Sequence, residues 1–262
     1  MKEKNKYLKQ LKESGIGKAV VNAIAGVDML KFFDPIFEDR VYSFEPIPIG
    51  SGQKSDDPVT MARMIAHLAL KKKSRVLEVG TGSGYSTAVL SQLSREVVTI
   101  EYYEDLARTA KEHFIGEGFT GARFFAGDAT DFDGPLGEFD AVIVFAACVR
   151  TPYFLINAVK PGGIAVFPMG PAHQQQITRF VNNPDARRAN DNYRFYDLEL
   201  EICPDSCGFY LDANEEKRVL ELIEKEKKAT KRKIKSEEEW AKTLERMRTR
   251  SFFSKLKSFI NS

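Results

Sequence analysis

Apolar positions recur along this chain at two spacings, helical in some stretches and alternating or continuous in others, and the change from one to the other outlines its elements. Residues 3–14 and 17–26 follow the helical spacing, the second with Val20, Val21, Ala23 and Ile24, and the pattern stops at Phe32-Phe33-Asp34-Pro35. Tyr42 to Gly52, YSFEPIPIGSG, mixes prolines and glycines into an extended apolar run, which predicts a surface loop or hairpin of the kind that often carries function. Asp57 then offers an N-cap before Pro58, and Met61, Met64, Ile65 and Leu68 continue at helical spacing.

From residue 75 strands and helices alternate. Strands are expected at Arg75–Val79, Val97–Glu101, Ala122–Phe125, Asp140–Phe145 and Ile164–Pro168, with helices at Ser83–Leu93 and Glu104–Phe114 and near Pro152–Val159. Such alternation builds βαβ units, hence an α/β fold with a mostly parallel, doubly wound sheet. Gln176–Val181 and Arg194–Ile202 follow with no helix between them, so they are expected as an antiparallel edge joined through residues 182–193. After Leu211 the composition turns to charge-rich helix. The expected organisation is therefore a domain over residues 1–211 and a helical C-terminal extension over 212–262.

The stretch that carries chemistry is Val76-Leu77-Glu78-Val79-Gly80-Thr81-Gly82-Ser83-Gly84-Tyr85. Glycines at alternate positions between a strand and a helix let the backbone turn sharply and expose main-chain N–H groups to a ligand. The spacing G-x-G-x-G differs from the G-x-G-x-x-G that cradles a dinucleotide pyrophosphate, which favours a cofactor with one ribose and no phosphates, such as S-adenosylmethionine. A tight strand-to-helix turn that binds nothing is the plainer alternative. Glu101, closing the next strand with Tyr102 after it, is placed to bridge ribose hydroxyls or to be a solvated strand-end acid. Gly127-Asp128-Ala129 after the third strand is placed to meet an adenine amino group or to form an ordinary turn.

Composition narrows the rest. Lys+Arg 39 against Asp+Glu 37 is too even for a dedicated nucleic-acid or membrane binder. Cys148, Cys203 and Cys207 form no CxxC pair, and His67, His113 and His173 have no ligand spacing, so no metal and no disulfide framework is expected and a reducing cytoplasm fits best. No stretch reaches the length of a membrane span, and MKEKNKYLKQLKES has no apolar core for a signal peptide.

Together VLEVGTGSGYSTAVLSQL, TIEYYEDLARTAKEHF, FFAGDA, FDAVIVFAACVRTPYFLINAVKPGGIAVFPMG and, above all, PIPIGSGQKSDDPVTMARM resemble the protein-L-isoaspartate O-methyltransferases over roughly residues 5–205. The glycine turn is shared by many methyltransferases, whereas P-I-G-x-G-Q upstream of it is far more specific. The resemblance implies a Rossmann-like methyltransferase sheet with helices on both faces, S-adenosylmethionine as donor, and methylation of the α-carboxylate of isoaspartyl residues in damaged proteins. It carries the cofactor role to Glu78, Gly80, Thr81, Gly82, Ser83, Gly84, Glu101, Tyr102, Asp128 and Ala129.

One segment departs from the pattern. The family's G-Q-T-I-S-x-P reads here Gly52-Gln53-Lys54-Ser55-Asp56-Asp57-Pro58, so the active-site serine falls on Asp56 while Ser55 stands one position early and would face the other way. Ser55 and Asp56 are the candidates for the acceptor side, and Asp56 or Asp57 also suits a helix cap. A carboxylate acceptor needs no general base, and an ionised Asp56 would repel it unless one of the two is protonated or Lys54 compensates. Asp56 thus leaves open repair methylation, methylation of aspartate in a dedicated partner peptide, or a cofactor-binding module without turnover. Arg150 is a candidate carboxylate clamp or a plain surface arginine, and Cys148 a small filler. In the extension, the basic run 225–235 is interleaved with glutamates and reads as a solvated helix. Phe252, Phe253, Leu256, Phe259 and Ile260 form an apolar face for self-docking or for a partner within residues 213–262.

Overall fold

The computed structural model describes residues 2–129, 138–148, 152–170, 175–183 and 200–202. Helices α1 (Lys2–Glu13) and α2 (Lys18–Ala25) open the chain, followed by a hairpin of β1 (Pro48–Gly50) and β2 (Gln53–Lys54) and by α3 (Pro58–His67). There follow β3 (Arg75–Val79), α4 (Tyr85–Leu93), β4 (Glu96–Glu101), α5 (Glu104–Gly116) and β5 (Ala122–Ala126). The chain continues through β6 (Phe139–Val144), α6 (Tyr153–Ile156), β7 (Val159–Met169), β8 (Gln176–Val181) and β9 (Leu200–Ile202).

Strands β3 to β9 form one sheet in the order β5-β4-β3-β6-β7-β8-β9. The first five are mutually parallel, and β8 and β9 add antiparallel at the edge, as the missing helix between them implied. From β3 the chain winds outward through β4 to β5, then returns to lay β6 against the other side of β3. The carboxyl ends of β3 and β6 therefore diverge, leaving the crevice in which ligands of doubly wound sheets bind.

Strand side chains alternate between two cores. Val76, Val97, Ala141 and Ile143 face one cluster, which also takes Tyr7 and Leu11 of α1, Val21 and Ile24 of α2, Met64 of α3 and Val89 of α4. Leu77, Val98, Ile100, Val142 and Val144 face the other, covered by Leu155 and Ile156 of α6. Burial on both faces explains why these strands read as nearly continuous apolar runs.

Two expectations need correcting. The helix near Pro152–Val159 is a single turn, and β7 starts at Val159, well before Ile164. Pairing from both sides draws this stretch into the sheet: Phe139 lies opposite Val159, and the Asn182 side-chain amide donates to the Val159 carbonyl at 2.7 Å. Gly163 permits it, since a Cβ there would stand 2.8 Å from the Asp140 carbonyl oxygen. The Tyr42–Gly52 segment enters the expected hairpin but is not wholly at the surface, because Ile47 is buried in the first core cluster. Residues 184–199, Arg150, His173, Cys203, Cys207 and the extension 212–262 lie outside the described residues.

At the amino ends of the strands Arg75 binds Glu96 at 2.8 Å and stacks over the Phe139 ring, while Arg123 reaches the other Glu96 oxygen at 2.8 Å. Partial burial pushes the Glu96 carboxyl up, but the hydrogen bond and charge of Arg75 and the charge of Arg123 outweigh it and hold it below the usual range. A depressed carboxyl stabilises the fold above its unfolded value and loses that contribution as pH falls through the folded one. Glu96→Gln should therefore cost about 1 kcal/mol near pH 7 and progressively less as the pH falls through the acid range, read from urea unfolding at a series of pH values. Gly163→Ala should cost roughly 1–3 kcal/mol in the same assay, because the atom in its way is backbone and does not yield cheaply.

Candidate cofactor and acceptor site

The glycine turn sits at the divergence of β3 and β6. Gly80, Gly82 and Gly84 have φ of 88°, 54° and 85°, a left-handed run that favours glycine at each. Their surroundings exclude a side chain too. A Cβ on Gly80 would meet the Phe145 backbone at 3.3 Å, and one on Gly84 the Ala110 carbonyl of α5 at 3.0 Å. Gly84 caps α4 without a side-chain hydrogen bond, and the neighbouring Ser83 hydroxyl accepts from the Tyr85 N–H at 3.4 Å.

Glu101, buried at the carboxyl end of β4, ties this turn to the next corner. One of its oxygens accepts the Gly82 N–H at 2.9 Å and the other the Tyr103 N–H at 3.0 Å. Tyr102 follows, half exposed, with its ring edge-on to Tyr103 at 5.2 Å. At the end of β5 the Gly127 N–H donates to the Glu101 carbonyl at 2.8 Å, bringing Asp128 and Ala129, both half-buried, to the same edge of the sheet. The structure thus gathers Glu101, Tyr102, Asp128 and Ala129 where three successive strands end.

Beneath the turn lies a polar layer that the sequence did not announce. Glu78 is fully buried in β3, and its two oxygens accept from the hydroxyls of Ser86 and Thr87 in the first turn of α4. Burial pushes the Glu78 carboxyl up to about 7 against the pull of these hydroxyls and of Thr99, with the nearby Glu101 charge adding to the rise. Thr81 and Thr99, both buried, share a hydrogen bond between their hydroxyls. Glu78 and Thr81 therefore brace the turn from below, whereas Glu101 holds it from the ligand side. Ser86 and Thr87 directly after the glycine run were the available signal, though a solvent-facing α4 would show them equally.

The β1–β2 hairpin walls the turn. Ile49 presses its side chain on Gly82, close enough that a Cβ there would lie 3.1 Å from its terminal carbon. The Ser51 hydroxyl donates to Asp105 at 2.6 Å, and Gln53 reaches the Tyr103 hydroxyl at 3.4 Å, anchoring the hairpin to the start of α5. These contacts give P-I-G-S-G-Q a physical reason: one residue packs on the turn, glycines allow the close approach, and two polar side chains fasten the tip.

The segment leaving the hairpin assigns different partners to each polar residue. Ser55 closes the hairpin, its N–H donating to the Ile47 carbonyl at 2.8 Å and its hydroxyl accepting the Ile47 N–H at 3.0 Å. Asp57 caps α3, one oxygen accepting from Val59 at 2.7 Å and Thr60 at 3.1 Å. Asp56 stands between them, half-buried. Burial, and after it the Asp57 charge, pushes its carboxyl up to about 7.

Other candidates fall away from this centre. Cys148 bridges β6 to the end of β7 through its backbone, and burial pushes its thiol up to about 12, which suits a filler more than a nucleophile. A groove of about 420 Å³ between α5 and the edge strand β5, floored by Phe114, Phe119 and Phe124, shares no residue with the glycine turn. Among the described residues no cluster of His, Cys, Asp and Glu is placed to hold a metal, and no helix is long and apolar enough to cross a membrane.

Comparison with known proteins shows the family. The family model for protein-L-isoaspartate(D-aspartate) O-methyltransferase matches residues 2–195. A protein-L-isoaspartate O-methyltransferase of Methanoculleus marisnigri is 36% identical over 173 residues, covering 66% of this chain and 79% of that one. Another, of Rhodopseudomonas palustris, is 34% identical over 197 residues, covering 74% and 91%. In structure the chain is similar to a Plasmodium falciparum protein described as a putative protein-L-isoaspartate O-methyltransferase in complex with S-adenosyl-L-homocysteine. That likeness has a TM-score of 0.65 at 21% identity, over 79% of this chain and 96% of that one, and bears on the fold. The chain thus belongs to the protein-L-isoaspartate(D-aspartate) O-methyltransferase family.

Proposed function

We propose that this protein is an S-adenosylmethionine-dependent O-methyltransferase whose acceptor is a carboxylate of a protein or peptide, foremost the α-carboxylate of an isoaspartyl residue. The observation that carries this reading is the glycine turn, with Glu101 fastened to it, at the switch point of a sheet whose chain matches this family over residues 2–195. The cradle suits the donor: a carboxylate rather than a cation stands at the strand end, as ribose hydroxyls require and phosphates do not. Gly80, Gly82 and Gly84 shape the cradle, and Glu101 takes the ribose. Tyr102, Asp128 and Ala129 line the adenine side, while Glu78, Thr81 and Ser83 keep the turn in shape.

When bound, the donor supplies an electrophilic methyl group on sulfur. A carboxylate acceptor is already ionised, so the chain has to align it and exclude water rather than remove a proton. Asp56, at the family's serine position, is the acceptor-side residue, and Ser55 supports it by closing the hairpin. The same departure favours a second reading, methylation of an ordinary aspartate in one dedicated peptide, with residues 213–262 as the segment that would recognise it.

Incubation with methyl-labelled donor and matched peptides separates these readings. Base-labile label on the isoaspartyl peptide alone is the expected result; label on aspartate alone supports the dedicated-peptide reading, and donor binding without transfer to either overturns both. Glu101→Gln removes the charge that holds the ribose, and calorimetry should show donor affinity falling roughly 10- to 100-fold, the range of about 1.5–3 kcal/mol for a hydrogen bond to a charged group.

A further inference from the structure

The three polar residues that leave the hairpin are not equivalent, and the difference assigns Asp56 a chemical state. Ser55 spends its hydroxyl oxygen on the Ile47 N–H, and Asp57 is committed to two N–H groups at the start of α3. Asp56 lies between them, half-buried, in the short link from the hairpin to α3. Among the described residues its carboxyl has neither a hydrogen bond nor a cation partner. The hairpin that delivers it is the one whose Ile49 packs on Gly82, which places donor and acceptor sides on one short piece of chain.

We infer that Asp56 is a neutral carboxylic acid when the acceptor arrives, and that it donates its proton in a hydrogen bond to the acceptor carboxylate. This rests on the carboxylate-acceptor reading above. Two adjacent carboxyl groups sheltered from water do not both stay charged at little cost. Asp57 accepts two N–H groups at the start of α3, whereas Asp56 has no such donors to offset its burial and lies beside the Asp57 charge. The other ionisable groups about this turn do not reverse that assignment. Among the described residues Lys54 of β2 is exposed and forms no ion pair with Asp56, while the buried phenol of Tyr7 on α1, which feels the Asp57 charge, is itself neutral. An incoming carboxylate adds negative charge and holds the proton on Asp56 more firmly. Because that acceptor has no proton to lose, Asp56 keeps its own throughout and only has to hold and orient its partner. Acid stands here in place of a hydroxyl, and the exchange makes acceptor binding sensitive to pH.

The sign is definite. Below about pH 7 Asp56 is neutral and donates; above it the carboxyl ionises and repels the acceptor unless a proton is taken up on binding. Calorimetry of the full-length protein loaded with S-adenosylhomocysteine tests this, titrating an isoaspartyl peptide in two buffers of different ionisation enthalpy. At pH 8 the wild type should take up close to one proton per peptide, and its affinity should fall up to about tenfold for each pH unit above 7. Asp56→Asn and Asp56→Ser keep a donor that does not titrate, so each should bind the peptide with no proton uptake and nearly the same affinity from pH 6 to 8. Wild-type binding without proton uptake at pH 8, or the same pH dependence in both variants, overturns the inference. Failure of the peptide to bind at pH 6 by a protein that has taken S-adenosylhomocysteine overturns the carboxylate-acceptor reading instead, and this inference with it.

Discussion

A single carboxylate at the end of β4 holds the candidate site together. Glu101 accepts an N–H from the glycine turn with one oxygen and an N–H from the β4–α5 corner with the other, so two loops from different strands share one anchor. Backbone N–H groups left unpaired in a half-buried turn are costly, and while Gly80 donates to the Ile100 carbonyl and Gly84 to that of Thr81, the Gly82 N–H has the Glu101 carboxylate as its acceptor. The acid supplies the missing acceptor. It also fixes how far the two loops stand apart, and thereby the width of the crevice where β3 and β6 diverge.

The layer below serves the same end by different means. A buried glutamate is expensive unless hydroxyls reach it, and Ser86 and Thr87 do so from the first turn of α4, immediately after the glycines. The helix is thus registered against β3 at the point where its N–H groups open toward the crevice. Apolar packing alone would let α4 slide along the sheet; the paired hydroxyls do not. The Thr81–Thr99 bond adds a second cross-link, between the turn and β4.

Strands buried on both faces were legible in the sequence because an apolar run of five or six residues has few other uses. β3, β4, β6 and β8 lie within a residue or so of their expected bounds, and Asp57-Pro58 marks the start of α3 by local chemistry alone. β7 was misjudged where local and distant preferences disagree: Val159 to Gly163 has no strand pattern, and it is the pairing with Phe139 and Asn182 that extends it. In the site, glycines and Glu101 could be found by spacing. Glu78 was read as a cofactor ligand, and its bonds to Ser86 and Thr87 place it under the turn, a distinction that depends on which helix face meets the sheet. Ser51, Gln53 and Ile49 were visible as a motif, but their partners on α5 and the glycine turn lie far off in sequence.

The hairpin joins two tasks that a modular design would separate. Its tip and first strand wall the glycine turn, and only a few residues later the same chain passes through Ser55 and Asp56 into α3. A change that tilts one end of so short a lever moves the other. A substitution in the link to α3 is thus felt at the glycine turn, and one in the hairpin tip is felt at the start of α3.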